Sequence, residues 1–364
     1  MKTSKIHWCD GTANPGMGCD GCELAPPSAT VGHQLAETLA EVLPQVPPEE
    51  LATQVRNAMG ERRLSEVYRD RERIVTQLLQ PYGAMISTNS RQMLIDVIRR
   101  AVKCYALLLG TMRAGHAGYA DTFEEPKLFP GRMAVAAWWG VPSAAERAAK
   151  PWLAGLRRLN FVSDMGDALS RNVPFGFLNT EIVDNAISEK GRRHIWLWLS
   201  KRPERMAEFA RWLGEQGTEW PGNLVAMTTV TSAKTLHRID QLRQVPSPIR
   251  GLSVEPLFGP VQLTLDGIDW VIVGGGSDVL AEPFHVEWAL SIHEQCQRAG
   301  VAFFLKQLGR NPFMGGRPVK LKDLHGGDWE EWPSELRIRQ VPESFKEVAG
   351  VARLAAGAPA PTLV

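Results

Sequence analysis

The chain has 364 residues, enough for one large barrel-type domain with an insertion or for two ordinary domains. Its 41 Lys and Arg residues nearly balance its 40 Asp and Glu residues, so the net charge of +1 encodes no general attraction to nucleic acid. The polar start lacks the apolar stretch of a signal peptide, and no apolar run approaches the ~20 residues that span a bilayer. Five cysteines without such a signal favour a reducing cytoplasm, where thiols can bind metal.

The first motif lies near the N-terminus, where a short strand over 6–8 is expected to lead into a Gly/Pro-containing loop ending near residue 24. This loop carries Cys19 and Cys22 as a CxxC pair. In a chain with so few cysteines, such a pair is more typical of a soft metal centre than of a disulfide. Cys104 is the candidate third ligand, and three thiolates would leave one coordination position open for a substrate or cosubstrate.

The segment between the second and third cysteines has a helical pattern. Leu35, Leu39 and Leu43 recur at four-residue spacing and mark one face of a helix. We predict four helices, over 33–43, from 47 onward, over 64–79, and from the capping residues Asn89 and Ser90 to residue 105, the last of them carrying Cys104. Residues 25–102 are therefore predicted to form a helical insertion.

After residue 120 the pattern changes to short apolar strands that alternate with helices. The predicted strands lie at 160–163, 195–199, 224–229, 249–254, 270–273 and 301–305. Their continuous apolar character is typical of parallel strands covered by helices. The alternation favours a β/α barrel, closed or partly open, with a doubly wound open sheet as the alternative. A C-terminal extension follows over 313–348, and the low-complexity tail over 349–364 is expected to be disordered.

Polar residues follow almost every predicted strand. They are Asp164 and Asp167, Lys201 and Arg202, Glu255, the glycines Gly274, Gly275 and Gly276, and Lys306. In a β/α barrel the carboxyl ends of the strands converge on one face, where sites are built. Helix capping explains the two aspartates equally well, and a tight turn explains the glycines equally well. For the charged residues after the later strands, a functional role is the better explanation.

Several of these residues fall into blocks that resemble a known family. The stretch from Trp8 to Cys19 matches the opening Trp-x-Asp-x-Thr-Trp-Asn-Pro-x-x-Gly-Cys, and Cys22 with Cys104-Tyr105-Ala106 matches Cys-x-x-Cys-Tyr-Ala. Further blocks fit at 161–167, 199–206, 252–257 and 303–309. In these features the chain resembles a phage-associated, radical-SAM-like family of unknown function.

The resemblance implies a full or partial TIM-like barrel of radical SAM type over 1–24 and 103–312. It also implies a [4Fe–4S] cluster on Cys19, Cys22 and Cys104, with S-adenosylmethionine on the open iron. Reductive cleavage of S-adenosylmethionine would give a 5′-deoxyadenosyl radical, which would start chemistry on an unknown small-molecule or nucleic-acid substrate. The electrons would come from a reductant protein. The expected cosubstrate anchors are Asp164, Asp167, Glu255 and Gly274, Gly275 and Gly276; the expected catalytic residues are Lys201, Arg202, Glu255 and Lys306.

Four features depart from the family pattern. The helical insertion separates the second cysteine from the third, and Ala13 stands where the family has Trp. Gly276 replaces the acid of the usual Gly-Gly-Glu, so any role of that acid is absent or moved. Cys9 replaces a Thr and raises the question of a fourth ligand.

Other functions remain open at this point. The CxxC pair could bind zinc together with Cys9 or His7, with Cys104 as a core residue. The barrel could also be a non-enzymatic scaffold, with no turnover of S-adenosylmethionine. A role in phage nucleic-acid metabolism is suggested by Lys201, Arg202 and Arg205 on one turn, although an anion site for a substrate phosphate or carboxylate is the simpler explanation.

The position of Cys104 in the chain sets a geometric requirement for the cluster hypothesis. If Cys104 is the third ligand, the insertion must fold back so that its last helix starts beside the loop that carries Cys19 and Cys22. Cys9 should be left out, because it precedes that loop and aligns with a residue that binds no metal.

Overall fold

The protein is described here by a computed structural model that covers residues 1–116 and 118–347. It divides into two compact units: Met17–Lys127, which we call the helical unit, and Met1–Gly16 with the chain from Leu128 onward, which we call the barrel unit. The helical unit is longer than the insertion predicted over 25–102, because Cys19 and Phe123 pack into the same apolar core as the helices. The tail predicted over 349–364 lies outside the described residues.

Six α-helices build the described part of the helical unit. They are α1 (Ser28–Val42), α2 (Pro48–Met59), α3 (Leu64–Arg69), α4 (Arg71–Leu79), α5 (Thr88–Ala101) and α6 (Tyr105–Met112), with a 3-10 segment at Gln80–Met85. The single helix predicted over 64–79 is broken at Asp70, whose carboxylate binds the guanidinium groups of Arg69 and Arg73. The cap of α5 is Ser87, whose hydroxyl accepts the N–H of Ser90 at 3.0 Å. The helix predicted to reach residue 105 ends earlier, and Cys104 is the N-cap of α6.

Seven parallel strands form the sheet of the barrel unit. They are β1 (Gly11–Ala13), β2 (Arg158–Val162), β3 (His194–Ser200), β4 (Leu224–Thr229), β5 (Arg250–Val254), β6 (Trp270–Gly274) and β7 (Ala302–Gln307). Neighbours in the sheet are neighbours in the chain, and the sheet curls into a half-barrel. A doubly wound sheet would reverse its strand order near the middle, so the structure confirms the partly open barrel.

Among the described residues, helices lie between consecutive strands as the pattern predicted, except between β5 and β6, which follow each other without a helix. They are α7 (Arg132–Ala137), α8 (Phe175–Leu178), α9 (Asp184–Ile187), α10 (Pro203–Glu215), α11 (His237–Arg243) and α12 (Val286–Ala299), and a π-helical turn (Asn179–Val183) joins α8 to α9. The 3-10 turns are Pro151–Leu153, Gly191–Arg193, Ala233–Thr235, Trp329–Glu331 and Ser334–Leu336. Further short strands are Gly16–Met17, Lys127–Leu128, Phe284–His285, Pro312–Met314 and Arg317–Pro318. No helix among the described residues is long and apolar enough to cross a membrane.

The two faces of the sheet bury different apolar clusters. Trp198 of β3 and Val273 of β6 belong to the cluster that includes residues of the surrounding helices. Phe161 of β2 and Trp270 of β6 belong to the other cluster, on the opposite face of the sheet. Trp8 packs there against both rings, at centroid distances of 4.6 and 6.2 Å. The first strand lies at Gly11–Ala13 rather than over the predicted 6–8, because residues 6–9 form a turn in which the Cys9 N–H donates to Ile6 O at 3.4 Å.

The C-terminal extension covers the open edge of β7. The Leu305 N–H donates to Ile338 O, and the Gln340 N–H donates to Phe303 O, both at 2.9 Å. Between them, the Arg339 guanidinium lies over the Trp152 ring at 4.4 Å. An exposed strand edge is a template for aggregation, so this pairing protects the sheet.

Candidate functional site

The cysteine loop of the helical unit is shaped by its glycines. Gly18 and Gly21 precede Cys19 and Cys22 with φ values of 96° and 98°, a left-handed conformation that glycine adopts readily. A Cβ on Gly18 would lie 2.5 Å from Phe123 O, and the Cys19 N–H donates to that same carbonyl oxygen at 2.8 Å. The loop therefore has a defined backbone that only glycine at these positions permits.

Cys104 returns to this loop through the backbone. The N–H of Lys103, its immediate neighbour, donates to Leu24 O at 2.9 Å, and Cys22 forms a bridge with Ala25 in the same loop. The start of α6 is thus hydrogen-bonded to the segment that follows the CxxC pair. The structure therefore places the start of α6 beside the residues that follow Cys22, although the whole helical segment separates them in the chain.

The three cysteine side chains differ in burial. Cys19 is buried and its Sγ lies 4.0 Å from Gly21 O, while Cys22 and Cys104 are half-buried. Across the part of the chain that the structure describes, no group of three or more His, Cys, Asp or Glu is arranged to hold a metal ion. Thiolates are the donors that iron–sulfur clusters take, but the described residues do not group these sulfur atoms as metal ligands.

The other two cysteines lie in the barrel unit and have the properties of core residues. Cys9 and Cys296 are fully buried, and burial raises the pKa of each thiol to about 12. His7, the other candidate in the zinc alternative, has its pKa lowered to about 4 by burial, and its Nδ1 lies 3.2 Å from Lys306 O. These environments weigh against a zinc site that includes Cys9.

At the carboxyl edge of the barrel, Asp164 is hydrogen-bonded to the residue that follows β1. Asn14 follows β1 and its Nδ2 donates to Asp164 Oδ1 at 2.5 Å, while its Oδ1 accepts the Met165 N–H at 3.0 Å. Burial raises the pKa of the Asp164 carboxyl, and the Asn14 hydrogen bond opposes that shift. Asn14 was not among the predicted site residues, because its role depends on the pairing of two strands almost 150 residues apart.

Ser163, immediately before Asp164, is the most unusual residue of this edge. Its φ of 71° makes it the only non-glycine residue with positive φ among those the structure describes. The residue is 4% exposed, and its hydroxyl has no hydrogen-bond partner in the described part of the chain. Strained backbone and unsatisfied buried polar groups concentrate at functional sites. The sequence carries no signal for either feature, so Ser163 was missed as a site residue.

Asp167 accepts hydrogen bonds from several donors. They are the N–H of Leu169 at 3.0 Å, the Ser200 hydroxyl at 2.8 Å, the Lys201 N–H at 3.0 Å and Arg202 Nη1 at 3.0 Å. A carboxylate has about four acceptor sites, and these donors engage them. The side chains of Asp167 and Arg202 are 8% and 12% exposed. This pair therefore fixes the ends of β2 and β3 relative to each other, a role that sequence analysis gave to neither residue.

Glu255 and Lys306 form the second charged group of the edge. Lys306 Nζ lies 2.5 Å from Glu255 Oε1, and the side chains keep 20% and 15% of their surface exposed. Gly274, at the end of the strand between them, makes room for this pair, since a Cβ there would lie 3.1 Å from the Glu255 carboxyl carbon. The structure thus brings together three predicted site residues from β6, β7 and the end of β5.

The remaining glycines of the triplet are explained by packing. A Cβ on Gly275 would lie 2.4 Å from Leu308 O, and one on Gly276 would lie 3.3 Å from the Ala281 Cβ. The Gln307 side chain also donates to Gly275 O at 3.0 Å. Close approach of protein backbone, rather than of a ligand, accounts for glycine at position 275.

The fold and this edge define the class of the molecule, a parallel β/α half-barrel with charged pairs at the carboxyl ends of its strands. Residues 99–333 match the model of a family described as a protein of unknown function (DUF5131). The match covers more than half of the chain, which therefore belongs to this family. The matched stretch includes Cys104 and β2 to β7, and it begins after Cys19 and Cys22. No curated protein and no solved structure matches the chain.

Proposed function

We propose that this protein is an iron–sulfur enzyme of radical SAM type, acting on an unknown substrate with electrons from a protein reductant. Cys19, Cys22 and Cys104 would hold a [4Fe–4S] cluster and leave one iron open for S-adenosylmethionine. When bound, this group supplies reductive cleavage of the cosubstrate and a carbon-centred radical. The observation that carries the proposal is the hydrogen bond from Lys103 N–H to Leu24 O, which returns Cys104 to the CxxC loop.

The half-barrel supports the same proposal through its carboxyl edge. Asp164 offers a buried carboxyl, and Ser163 offers a hydroxyl that no described residue engages. Both groups suit the hydroxyl groups of a ribose. Glu255 and Lys306 offer one charge of each sign at a partly exposed position. In this proposal Glu255 and Lys306 separate from each other and bind a charged group of the substrate. Asp167 and Arg202 keep β2 and β3 in place.

The cluster is tested by anaerobic reconstitution of the full chain, followed by iron, sulfide and zinc analysis. We expect Cys104→Ala to lose the iron and acid-labile sulfide that the parent chain retains. Cys296→Ala is the matched control, because that thiol is fully buried in the barrel unit, and Cys9→Ala should likewise retain the cluster. Stoichiometric zinc without sulfide in the parent chain would end the cluster proposal in favour of the zinc alternative.

The cosubstrate is tested separately, by EPR of the reduced protein with and without S-adenosylmethionine. A change in the cluster signal on its addition supports an open iron site. An intact cluster whose signal does not respond would leave an iron–sulfur protein on a non-SAM barrel.

The ligand anchors are tested by calorimetry on the reconstituted protein. Ser163→Ala should weaken binding of S-adenosylmethionine without destabilising the fold, because it removes a hydroxyl that no protein group satisfies. Ser163→Gly should stabilise the barrel unit by about 1 kcal/mol through relief of the left-handed backbone, and should weaken binding as the Ala variant does. Unchanged affinity in Ser163→Ala would remove Ser163 from the cosubstrate site. Unchanged affinity in Glu255→Ala would end the prediction that Glu255 anchors S-adenosylmethionine, and would leave its role toward the substrate.

A further inference from the structure

A second surface of the barrel unit is built around an exposed tryptophan. Trp138 follows α7 and is 70% exposed, and Val135, one turn earlier, is 63% exposed. By contrast Trp196, Trp198 and Trp270 are fully buried. A large aromatic ring left in water at this extent is typical of a binding surface.

One cation lies over this ring, and three more cluster with it. Lys190 Nζ lies 5.0 Å from the centre of the Trp138 ring, and Arg192 and Arg193 follow it on an exposed turn. The Arg193 guanidinium donates to Lys190 O at 3.3 Å, and the Arg157 guanidinium donates to Arg192 O. Backbone carbonyls thus hold the cations in place without neutralising them. We call these five residues the basic aromatic surface.

Few carboxylates neutralise this surface. Lys190 pairs with Glu189 at 2.8 Å, but Glu189 is itself 84% exposed. The pKa of the Glu189 carboxyl is lowered by Lys190 first and also by Arg193 and Arg192, which places those charges close together. Among the described residues, no carboxylate lies within ion-pair distance of Arg157, Arg192 or Arg193. The surface therefore offers uncompensated positive charge although the whole chain is nearly neutral.

The basic aromatic surface is distinct from the candidate site. Arg157 directly precedes β2 and Arg193 directly precedes β3, so both lie at the amino ends of parallel strands. Asp164 and Asp167 follow β2, and Glu255 follows β5, at the opposite edge of the same sheet.

From this arrangement we infer that the protein binds single-stranded nucleic acid on the basic aromatic surface, with a base stacked on Trp138 and phosphates on the neighbouring cations. An aromatic face accepts any base, and guanidinium groups match phosphate oxygens in a forked geometry. An acidic peptide would use the cations alone, whereas a nucleic-acid strand would also use the exposed Trp138 ring.

The basic turn considered from the sequence is a different group of residues. Lys201, Arg202 and Arg205 were the predicted basic turn, but Arg202 is paired with Asp167. Arg205 donates to Val173 O at 2.9 Å and lies over the Phe175 ring. The inference does not depend on the iron–sulfur proposal.

The test is fluorescence anisotropy of the full chain with labelled oligonucleotides of about 12 residues, as single-stranded DNA, single-stranded RNA and duplex DNA. We expect single strands to bind more tightly than duplex. Trp138→Ala should weaken binding about tenfold or more, while Trp138→Phe, which retains a ring, should lose much less. Arg192→Gln combined with Arg193→Gln should reduce the slope of log affinity against log salt by about 1.4, the loss of two phosphate contacts.

Arg298→Gln is the matched control, because Arg298 is 70% exposed on α12 and pairs with Glu294. It should leave both affinity and salt slope unchanged. Circular dichroism verifies that each variant is folded. The proposal is overturned if no single strand binds at low salt, if Trp138→Ala binds as the parent does, or if Arg298→Gln loses as much as the Arg192 and Arg193 variant. Preference for DNA or RNA identifies the natural strand.

Discussion

The pair of Asp167 and Arg202 allows a quantitative test of the candidate site's framework. Asp167→Ala removes a carboxylate that accepts hydrogen bonds from Ser200, Arg202 and the backbone. Because the Arg202 side chain is only 12% exposed, it would be left as a nearly buried charge without this partner. Breaking such a pair costs about 3–5 kcal/mol. Asp167→Asn keeps the shape and one oxygen acceptor, so it should cost less, about 1–3 kcal/mol.

The aromatic residues of this chain provide the assay. All 12 tryptophans lie in the barrel unit, and all 4 tyrosines, among them Tyr68 and Tyr82, lie in the helical unit. Tryptophan fluorescence during urea denaturation therefore reports on the barrel unit alone. We expect its midpoint to fall strongly in Asp167→Ala, and the double variant with Arg202→Met to recover part of the loss, since neither charge is then left alone.

Two results would refute this reasoning. A loss below about 1 kcal/mol in Asp167→Ala would mean that water satisfies Arg202 as well as Asp167 does. Strict additivity of the single variants would mean that the two side chains are not energetically coupled.

Three further predictions concern the barrel unit. Burial lowers the pKa of His194 to about 4, so the unfolded chain takes up the proton at a higher pH than the folded chain does. The free energy of unfolding should therefore fall by about 3 kcal/mol between pH 6.5 and 4. Urea titrations at neutral and acid pH should show that His194→Phe lacks this pH-dependent loss. Gly275→Ala should lower the tryptophan-detected midpoint, because its Cβ meets Leu308 O at 2.4 Å; a tolerated alanine would contradict the packing explanation. Arg339→Lys should lower the free energy of unfolding of the barrel unit by about 1 kcal/mol or more, because Lys cannot stack on the rings around it. An unchanged urea midpoint would mean that this stacking does not contribute to stability.

The sequence predicted the strands of the half-barrel closely. Their signal is local: continuous apolar runs such as Leu224–Thr229 can form little except a strand buried on both faces. The first strand was placed wrongly because Trp8 is apolar for a different reason, its packing inside the half-barrel. The break of a predicted helix at Asp70 was missed because it depends on ion pairs rather than on apolar spacing.

For the candidate site, the sequence predicted which polar residues lie at the carboxyl edge, but it did not predict which of them pair with one another. The carboxyl ends of parallel strands converge by topology, so the polar residues after each strand were identifiable. Which of them satisfy one another depends on side-chain length and on strand register: Glu255 reaches Lys306, and Asp167 reaches Arg202. No local pattern encodes those pairs. The return of Cys104 to the CxxC loop depends likewise on the path of the intervening helices.

The polar residues of the carboxyl edge divide into two kinds, and the division points to where a ligand is bound. Asp167 and Arg202 satisfy each other, and their removal should cost the fold stability. Ser163 is the reverse case, since a left-handed backbone and an unsatisfied buried hydroxyl each cost free energy on the order of 1–2 kcal/mol. Glycine at this position would avoid both costs. A serine that costs the fold free energy supports our proposal of a ligand at this edge. In that proposal, a ligand hydroxyl beside Asp164 would give the Ser163 hydroxyl the partner that it lacks among the described residues.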